Sequence, residues 1–150
     1  EYYALMGFLG SSVPKVNAGT SRKIINSLIR AIDLGYVKAC HDVSDGGLGV
    51  ALAEMAFSGG LGMEIDLRKV PVVNISRNDF VLFSESNGRF IVEVPESYKE
   101  EFEALMEDVK YSIIGKVVKT KSLVIRGLSG KVIIDRKLDD LLKAWKSTLQ

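Results

Sequence analysis

The residues best suited to chemistry lie together in a short polar corner, residues 41–47, which reads His-Asp-Val-Ser-Asp-Gly-Gly. Asp42 and Asp45 supply two carboxylates, the kind of oxygen ligand that magnesium prefers. Ser44 adds a hydroxyl, and the Gly46-Gly47 pair lets a ligand approach the backbone closely. Carboxylate, magnesium and phosphate meet in phosphoryl-transfer sites. These residue types therefore indicate a site for a phosphate-bearing ligand.

The segments on either side predict that the corner joins a strand to a helix. Residues 36–40 are mostly apolar and read as a strand, whereas the residues after the glycines have helical spacing. That helix carries one charge, Glu54, so we expect it to be buried nearly all round, and Gly59-Gly60 ends it. The first N–H groups of a helix are unpaired and attract anions. The predicted helix face comprises Leu48, Ala51, Leu52 and Met55.

A structural interpretation of the same corner stays open beside the ligand site. Ser44 or Asp45 could be the N-cap of the helix, and Asp42 could hold loop N–H groups, because short polar residues favour caps and turns. The glycines would then be turn residues only. For metal binding by Asp42 and Asp45 the structural interpretation is preferred, so no metal site is predicted from the spacing.

Other reactive side chains are few. His41 is the only histidine, for which a hydrogen-bonding structural role is expected, and Cys40 is expected to be buried at a strand end. A second polar corner, residues 84–88, precedes Arg89. There Glu85 and Arg89 are expected either to form an ion pair or to leave Arg89 free to contact an anionic group. No catalytic residue is assigned.

Two long motifs carry a family resemblance. Residues 41–56, His-Asp-Val-Ser-Asp-Gly-Gly-Leu-Gly-Val-Ala-Leu-Ala-Glu-Met-Ala, are the first, and residues 82–94, Leu-Phe-Ser-Glu-Ser-Asn-Gly-Arg-Phe-Ile-Val-Glu-Val, are the second. Both resemble the C-terminal domain of the large subunit of phosphoribosylformylglycinamidine synthases, in the aminoimidazole ribonucleotide synthetase superfamily. The opening Glu1-Tyr2-Tyr3 is similar to the start of that domain, so the resemblance covers nearly the whole chain.

The resemblance implies one domain, residues 1–150, of a longer multidomain ligase of purine biosynthesis. Such enzymes use ATP, magnesium and glutamine-derived ammonia to convert formylglycinamide ribonucleotide to the amidine. The implied partners are N-terminal domains of the same polypeptide, a glutaminase subunit and a small accessory subunit. Because the nucleotide clefts of the family are built largely by N-terminal-type domains, only the corner is carried over as ligand-facing, and the isolated chain is expected to be inactive. The carried-over residues are Asp42, Ser44, Asp45, Gly46 and Gly47.

Two alternatives stay open. One is a domain of another superfamily member, such as aminoimidazole ribonucleotide synthetase, selenophosphate synthetase or thiamine-monophosphate kinase. In that case a second motif different from residues 82–86 would be expected. The other is a structural or auxiliary nucleotide-binding module that contributes only interfaces.

Length, charge and cysteine content narrow the class of protein further. A length of 150 residues suits one domain, and a net charge of +1 offers no electrostatic case for nucleic acid. A single cysteine fits a reducing compartment, so a cytoplasmic location is expected, and no apolar run is long enough to cross a membrane.

The remaining pattern predicts the fold class. Strands and helices intermix, and residues 121–126 with 131–135 read as a hairpin, which argues against an all-parallel sheet. We expect an α/β (α+β) fold in which a mixed sheet is layered with helices, on both faces. Further helices are predicted at residues 20–35, 97–106 and 138–145, a short helix or a turn at 79–84, and strands at 61–67, 89–94 and 111–118.

Overall fold

The computed structural model describes residues 1–10 and 13–147, and it contains helices and strands mixed along the chain. The helices are α1 Tyr2–Leu5, α2 Ala18–Asp33, α3 Gly47–Gly59, α4 Asn78–Phe83, α5 Lys99–Leu105 and α6 Leu138–Ser147. The strands are β1 Ala39–Asp42, β2 Gly62–Asp66, β3 Phe90–Glu93, β4 Gly115–Val118, β5 Ser122–Arg126 and β6 Val132–Lys137. The predicted α/β class is therefore confirmed.

Among the described residues the strands form two sheets rather than one. The smaller sheet pairs β1 with β3 antiparallel, and the larger has the order β4-β2-β5-β6. Strands β2 and β5 are parallel, whereas β4 and β6 run antiparallel to their neighbours. The larger sheet is thus the mixed sheet that the hairpin predicted.

Helix α3 occupies the centre of the main core, as its nearly uncharged sequence predicted. It packs against α4 and α6 and against strands of both sheets. Leu52 is 1% exposed and Ala56 is equally buried, while Met63 and Ile65 of β2 meet Leu123 and Ile125 of β5 in the same core.

Helices cover both faces of the smaller sheet but only one face of the larger sheet. In β3, Ile91 packs with the main core, whereas Val92 packs with the cluster formed by α2 and α5, because alternate strand residues point to opposite faces. On the larger sheet the outward Glu64 and Lys116 form an exposed ion pair at 3.2 Å. The expectation of helices on both faces therefore holds for the smaller sheet, whereas in the described residues the Glu64 and Lys116 side chains of the larger sheet point to solvent.

Some element boundaries differ from the predicted ones. Strand β1 begins at Ala39, three residues later than predicted, and extends through Asp42 into the polar corner. Helix α2 begins before Thr20, because the side chain of Asn17 accepts the Thr20 N–H at 2.9 Å and caps the helix.

The first residues lie partly against α4. The Tyr2 ring stacks on Phe83 with centroids 5.1 Å apart, and its hydroxyl donates to Asp79 Oδ2 at 2.8 Å. Phe8 and Leu9 are 67% and 98% exposed. The segment is therefore anchored at Tyr2, whereas its Phe8 and Leu9 side chains are largely exposed to solvent. Within the described residues, no helix combines the length and the apolar character needed to span a bilayer.

Candidate functional site

The polar corner is fixed at both ends by the elements that flank it. Before it, Val43 is buried in the main core, and its N–H donates to the Arg89 carbonyl at 2.9 Å. After it, Gly46 and Gly47 have φ values of +74° and +67°, left-handed conformations that glycine adopts without strain. Between these anchors the side chains of Ser44 and Asp45 are exposed to solvent.

The corner forms one wall of an open groove of about 530 Å³. Asp42, Val43 and Ser44 line that wall, and Asn87, Gly88 and Arg89 line the opposite one. The structure therefore brings the two sequence motifs together, although they lie about 40 residues apart along the chain. Asp45, which was predicted with Asp42, is not part of the lining.

The N–H groups of the two glycines already have partners within the chain. The Gly46 N–H donates to Glu85 Oε1 at 2.9 Å, and the Gly47 N–H donates to the Ser44 carbonyl at 2.9 Å. Gly46 occupies the N-cap position of α3 and, as a glycine, has no side chain with which to cap the helix. The capping roles considered for Ser44 and Asp45 are therefore wrong, because a carboxylate from the second motif satisfies the helix terminus instead.

Close packing explains why position 47 carries glycine. A Cβ built there would lie 2.6 Å from the Ser84 carbonyl oxygen and 2.7 Å from that of Leu82. No side-chain carbon tolerates such distances, so the start of α3 and the end of α4 can meet only through this glycine.

Glu85 and Arg89 do not pair with each other, which corrects one of the two expectations. Arg89 donates from Nε to the Ser86 carbonyl at 3.1 Å and from Nη2 to the Ser84 carbonyl. In the described part of the chain its guanidinium has no carboxylate partner, and burial lowers its pKa. The hydrogen bond from Gly46 lowers the pKa of Glu85, so this carboxylate is ionised at neutral pH. Sequence reasoning missed the Glu85–Gly46 contact because nothing local signals a bond across 39 positions.

His41 has the hydrogen-bonding role that was expected. Its Nε2 lies 3.2 Å from Glu54 Oε2, and its Nδ1 lies 2.6 Å from the Asp42 carbonyl oxygen. Trp145 of α6 donates to the other oxygen of Glu54 at 3.0 Å. The histidine thus ties β1 to α3, on the face opposite the groove.

Cys40 is exposed beside the groove rather than buried, which corrects the prediction. Desolvation by its neighbours and the charge of Asp42 raise the pKa of its thiol, so the reactive thiolate is disfavoured. The described residues also contain no group of three or more His, Cys, Asp or Glu side chains placed to hold a metal ion.

Several curated proteins are similar to this chain in sequence. The chain is 39% identical to the phosphoribosylformylglycinamidine synthase subunit PurL of Thermococcus sibiricus over 98% of its length, and 42% identical to that of Thermococcus kodakarensis over 77%. The matched part spans 20% of the length of the first relative and 16% of the second.

Solved structures share the fold. Thermotoga maritima PurL complexed with FGAR superimposes with a TM-score of 0.75 at 19% identity, over 87% of this chain and 22% of that one. PurLQS from the same organism gives 0.78 at 17% identity, over 87% and 23%. E. coli HypE gives 0.65 at 24% identity, over 89% and 42%.

The family model described as "AIR synthase related protein, C-terminal domain" matches residues 3–127, a range that contains both motifs and the groove between them. The chain belongs to this family of C-terminal domains of AIR synthase related proteins.

Proposed function

We propose that the chain is the C-terminal domain of a phosphoribosylformylglycinamidine synthase large subunit. The whole enzyme would convert formylglycinamide ribonucleotide to the amidine, with ATP and glutamine as co-substrates. The observation that carries the proposal is the 39% identity to a PurL subunit over nearly the entire chain. The second motif, residues 82–94, has the sequence expected of this synthase. HypE, by contrast, resembles the chain at the level of fold.

The proposed ligand-facing surface is the groove between the two motifs. Asp42 and Ser44 present polar groups on one wall, and Arg89 on the other is a half-buried cation without a carboxylate partner. Asp45 lies exposed next to this surface. We retain Gly46 and Gly47 in the site as the residues that shape the corner, since their N–H groups would have to leave Glu85 and Ser44 before they could donate to a phosphate.

ATP and magnesium are proposed for the whole enzyme. Solved structures titled T. maritima PurL complexed with ATP, with ADP and with AMPPCP support nucleotide use. Magnesium in proteins often takes one or two carboxylates and completes its shell with phosphate oxygens and water. Asp42 and Asp45 could supply one or two such ligands, but the residues that the structure describes offer no complete cage. Bound there, magnesium would neutralise phosphate charge that these carboxylates otherwise repel.

The proposed partners are the N-terminal domains of the same polypeptide, a glutaminase subunit and a small accessory subunit. The solved PurLQS assembly of T. maritima supports partner subunits for this enzyme class. A cytoplasmic location is proposed as well, in keeping with an unpaired cysteine.

A domain exchange tests the proposal. The C-terminal domain of T. sibiricus PurL would be replaced by this chain, and glutamine-dependent release of phosphate from ATP would be measured with formylglycinamide ribonucleotide. We expect activity from the chimera, a loss of at least tenfold in kcat/KM for Asp42→Asn, and none for the control Asp139→Asn, an exposed residue of α6. The isolated chain should show no turnover. A folded chimera that is inactive with this substrate would refute the synthase assignment.

The auxiliary-module alternative predicts a different outcome. A module that contributes only interfaces would restore activity in the chimera, but Asp42→Asn and Asp45→Asn would leave kcat/KM unchanged. The two aspartate variants therefore separate a ligand-facing corner from a purely structural one.

A further inference from the structure

We propose that Glu85 is a positioning residue that fixes the two walls of the groove relative to each other. Its side chain belongs to the second motif, and its Oε1 accepts the N–H of Gly46 in the first motif at 2.9 Å. Among the described residues this is the one side-chain hydrogen bond between the corner and the loop opposite.

The loop that carries Glu85 is itself held in place. Arg89 donates to the carbonyl oxygens of Ser84 and Ser86, the residues on either side of Glu85. Because these bonds close the loop on itself, the carboxylate is presented at a defined position. The Arg89 carbonyl in turn accepts the Val43 N–H, so a backbone hydrogen bond also connects the two walls at the other end of the corner.

The electrostatics favour a carboxylate at this point. The N-terminus of α3 carries partial positive charge, and a charge-assisted bond to a backbone N–H is stronger than a neutral one. The ammonium group of Glu1 in the 150-residue chain also lies 3.2 Å from Glu85 Oε1, but the Glu1 side chain is 76% exposed and the pair lies near the surface, so it contributes little. Glu85 thus occupies the place at the helix terminus that a bound anion would otherwise take.

The contact has a direct consequence for the groove. Gly47 packs against the carbonyls of Leu82 and Ser84 and leaves no room for a side chain, and the Val43 N–H bonds to the Arg89 carbonyl. The Glu85 bond adds a side-chain attachment between these two backbone contacts, so it restricts rotation of the walls against each other. The importance of this geometry for ligands rests on the proposed function, whereas the positioning itself can be measured without any ligand.

The experiment uses the 15N-labelled 150-residue chain and follows backbone amides by NMR from pH 6 to pH 3. We expect the Gly46 amide proton to shift as the Glu85 carboxyl titrates, with a midpoint below that of an ordinary glutamate. Glu85→Gln retains an acceptor oxygen, so it should keep the wall amides near their wild-type positions, and the difference between the wild-type and Glu85→Gln responses of Gly46 isolates Glu85 from the neighbouring Asp45 and Asp42. An N-terminally acetylated chain removes the Glu1 ammonium and should keep the response.

Glu85→Ala removes the acceptor altogether. We expect exchange of the Gly46 amide with solvent to accelerate about tenfold or more, and the amides of Ser44 and Asn87 to shift together. The matched control is Glu64→Gln, which removes a carboxylate charge on the outer face of the larger sheet and should leave both walls unchanged.

The positioning role is refuted if Glu85→Ala moves these amides no more than Glu64→Gln does. Should the alanine variant fail to fold, the wild-type titration decides by itself. A Gly46 amide that does not respond while the Glu85 carboxyl titrates would overturn the proposal. Failure of the chimera with formylglycinamide ribonucleotide would remove the proposed function and leave the result on Glu85 intact.

Discussion

Replacing Gly47 with alanine should destabilise the chain more than the same change at a left-handed glycine that has open space around it. Two costs combine at this residue. A φ of +67° costs a residue with a Cβ about 1–2 kcal/mol. The new methyl group would also lie 2.6 Å from the Ser84 carbonyl oxygen, and relief of such overpacking costs about 1–3 kcal/mol. The expected total is about 2–5 kcal/mol.

Gly60→Ala provides a matched control at the other end of the same helix. Gly60 has a φ of +64°, but a Cβ there would meet no atom within 4 Å. It should therefore cost only the conformational part, about 1–2 kcal/mol. The difference between the two variants isolates the contact between α3 and the end of α4.

Urea denaturation measures both variants, with midpoints compared at equal slope. For a chain of this size each kcal/mol also corresponds to about 2–4 °C in Tm. Equal losses for Gly47→Ala and Gly60→Ala would refute the packing argument. A large loss would also mean that substitutions at Gly47 cannot report on ligand binding, because they would unfold the corner first.

Three further predictions follow from named contacts. The bidentate bonds from Arg77 hold the pKa of Asp79 at about 2, below its unfolded value of 3.8. The ionised Asp79 therefore stabilises the fold fully above pH 3.8, and this stabilisation is lost as the pH falls towards 2. Asp79→Asn should therefore flatten the loss of stability in acid, and an unchanged acid profile would contradict this. Leu52→Ala should cost about 2–5 kcal/mol in urea denaturation, because Leu52 is 1% exposed, whereas Leu61→Ala, at 43% exposure, should cost less than about 1 kcal/mol. Asp45→Ala should change stability by less than about 0.5 kcal/mol, since Asp45 caps nothing, whereas loss of an aspartate cap costs about 0.5–2 kcal/mol, so a loss in that range would restore the capping interpretation.

Local sequence determined the elements and much of the corner. The nearly uncharged run after Gly47 predicted a buried helix, and α3 is at the centre of the core because charged side chains are costly to bury. The turn residues near Gly127 and Gly130 predicted the hairpin of β5 and β6, which the structure contains. Two long motifs indicated the family, since such a match depends on residue identity and order alone.

Tertiary structure decided which residues meet. The division of the strands into two sheets, and the choice of which face of the larger sheet is exposed, depend on register between segments far apart in the chain. Sequence spacing suggested that Glu85 pairs with Arg89, yet Glu85 bonds to Gly46 and Arg89 bonds to loop carbonyls. Tertiary structure also explains why position 47 must be glycine, because the carbonyl groups at the end of α4 leave no room for a side chain there. Neighbours in sequence limit the backbone, but the partner of a buried N–H or a close-packed Cα is set only when distant segments come together.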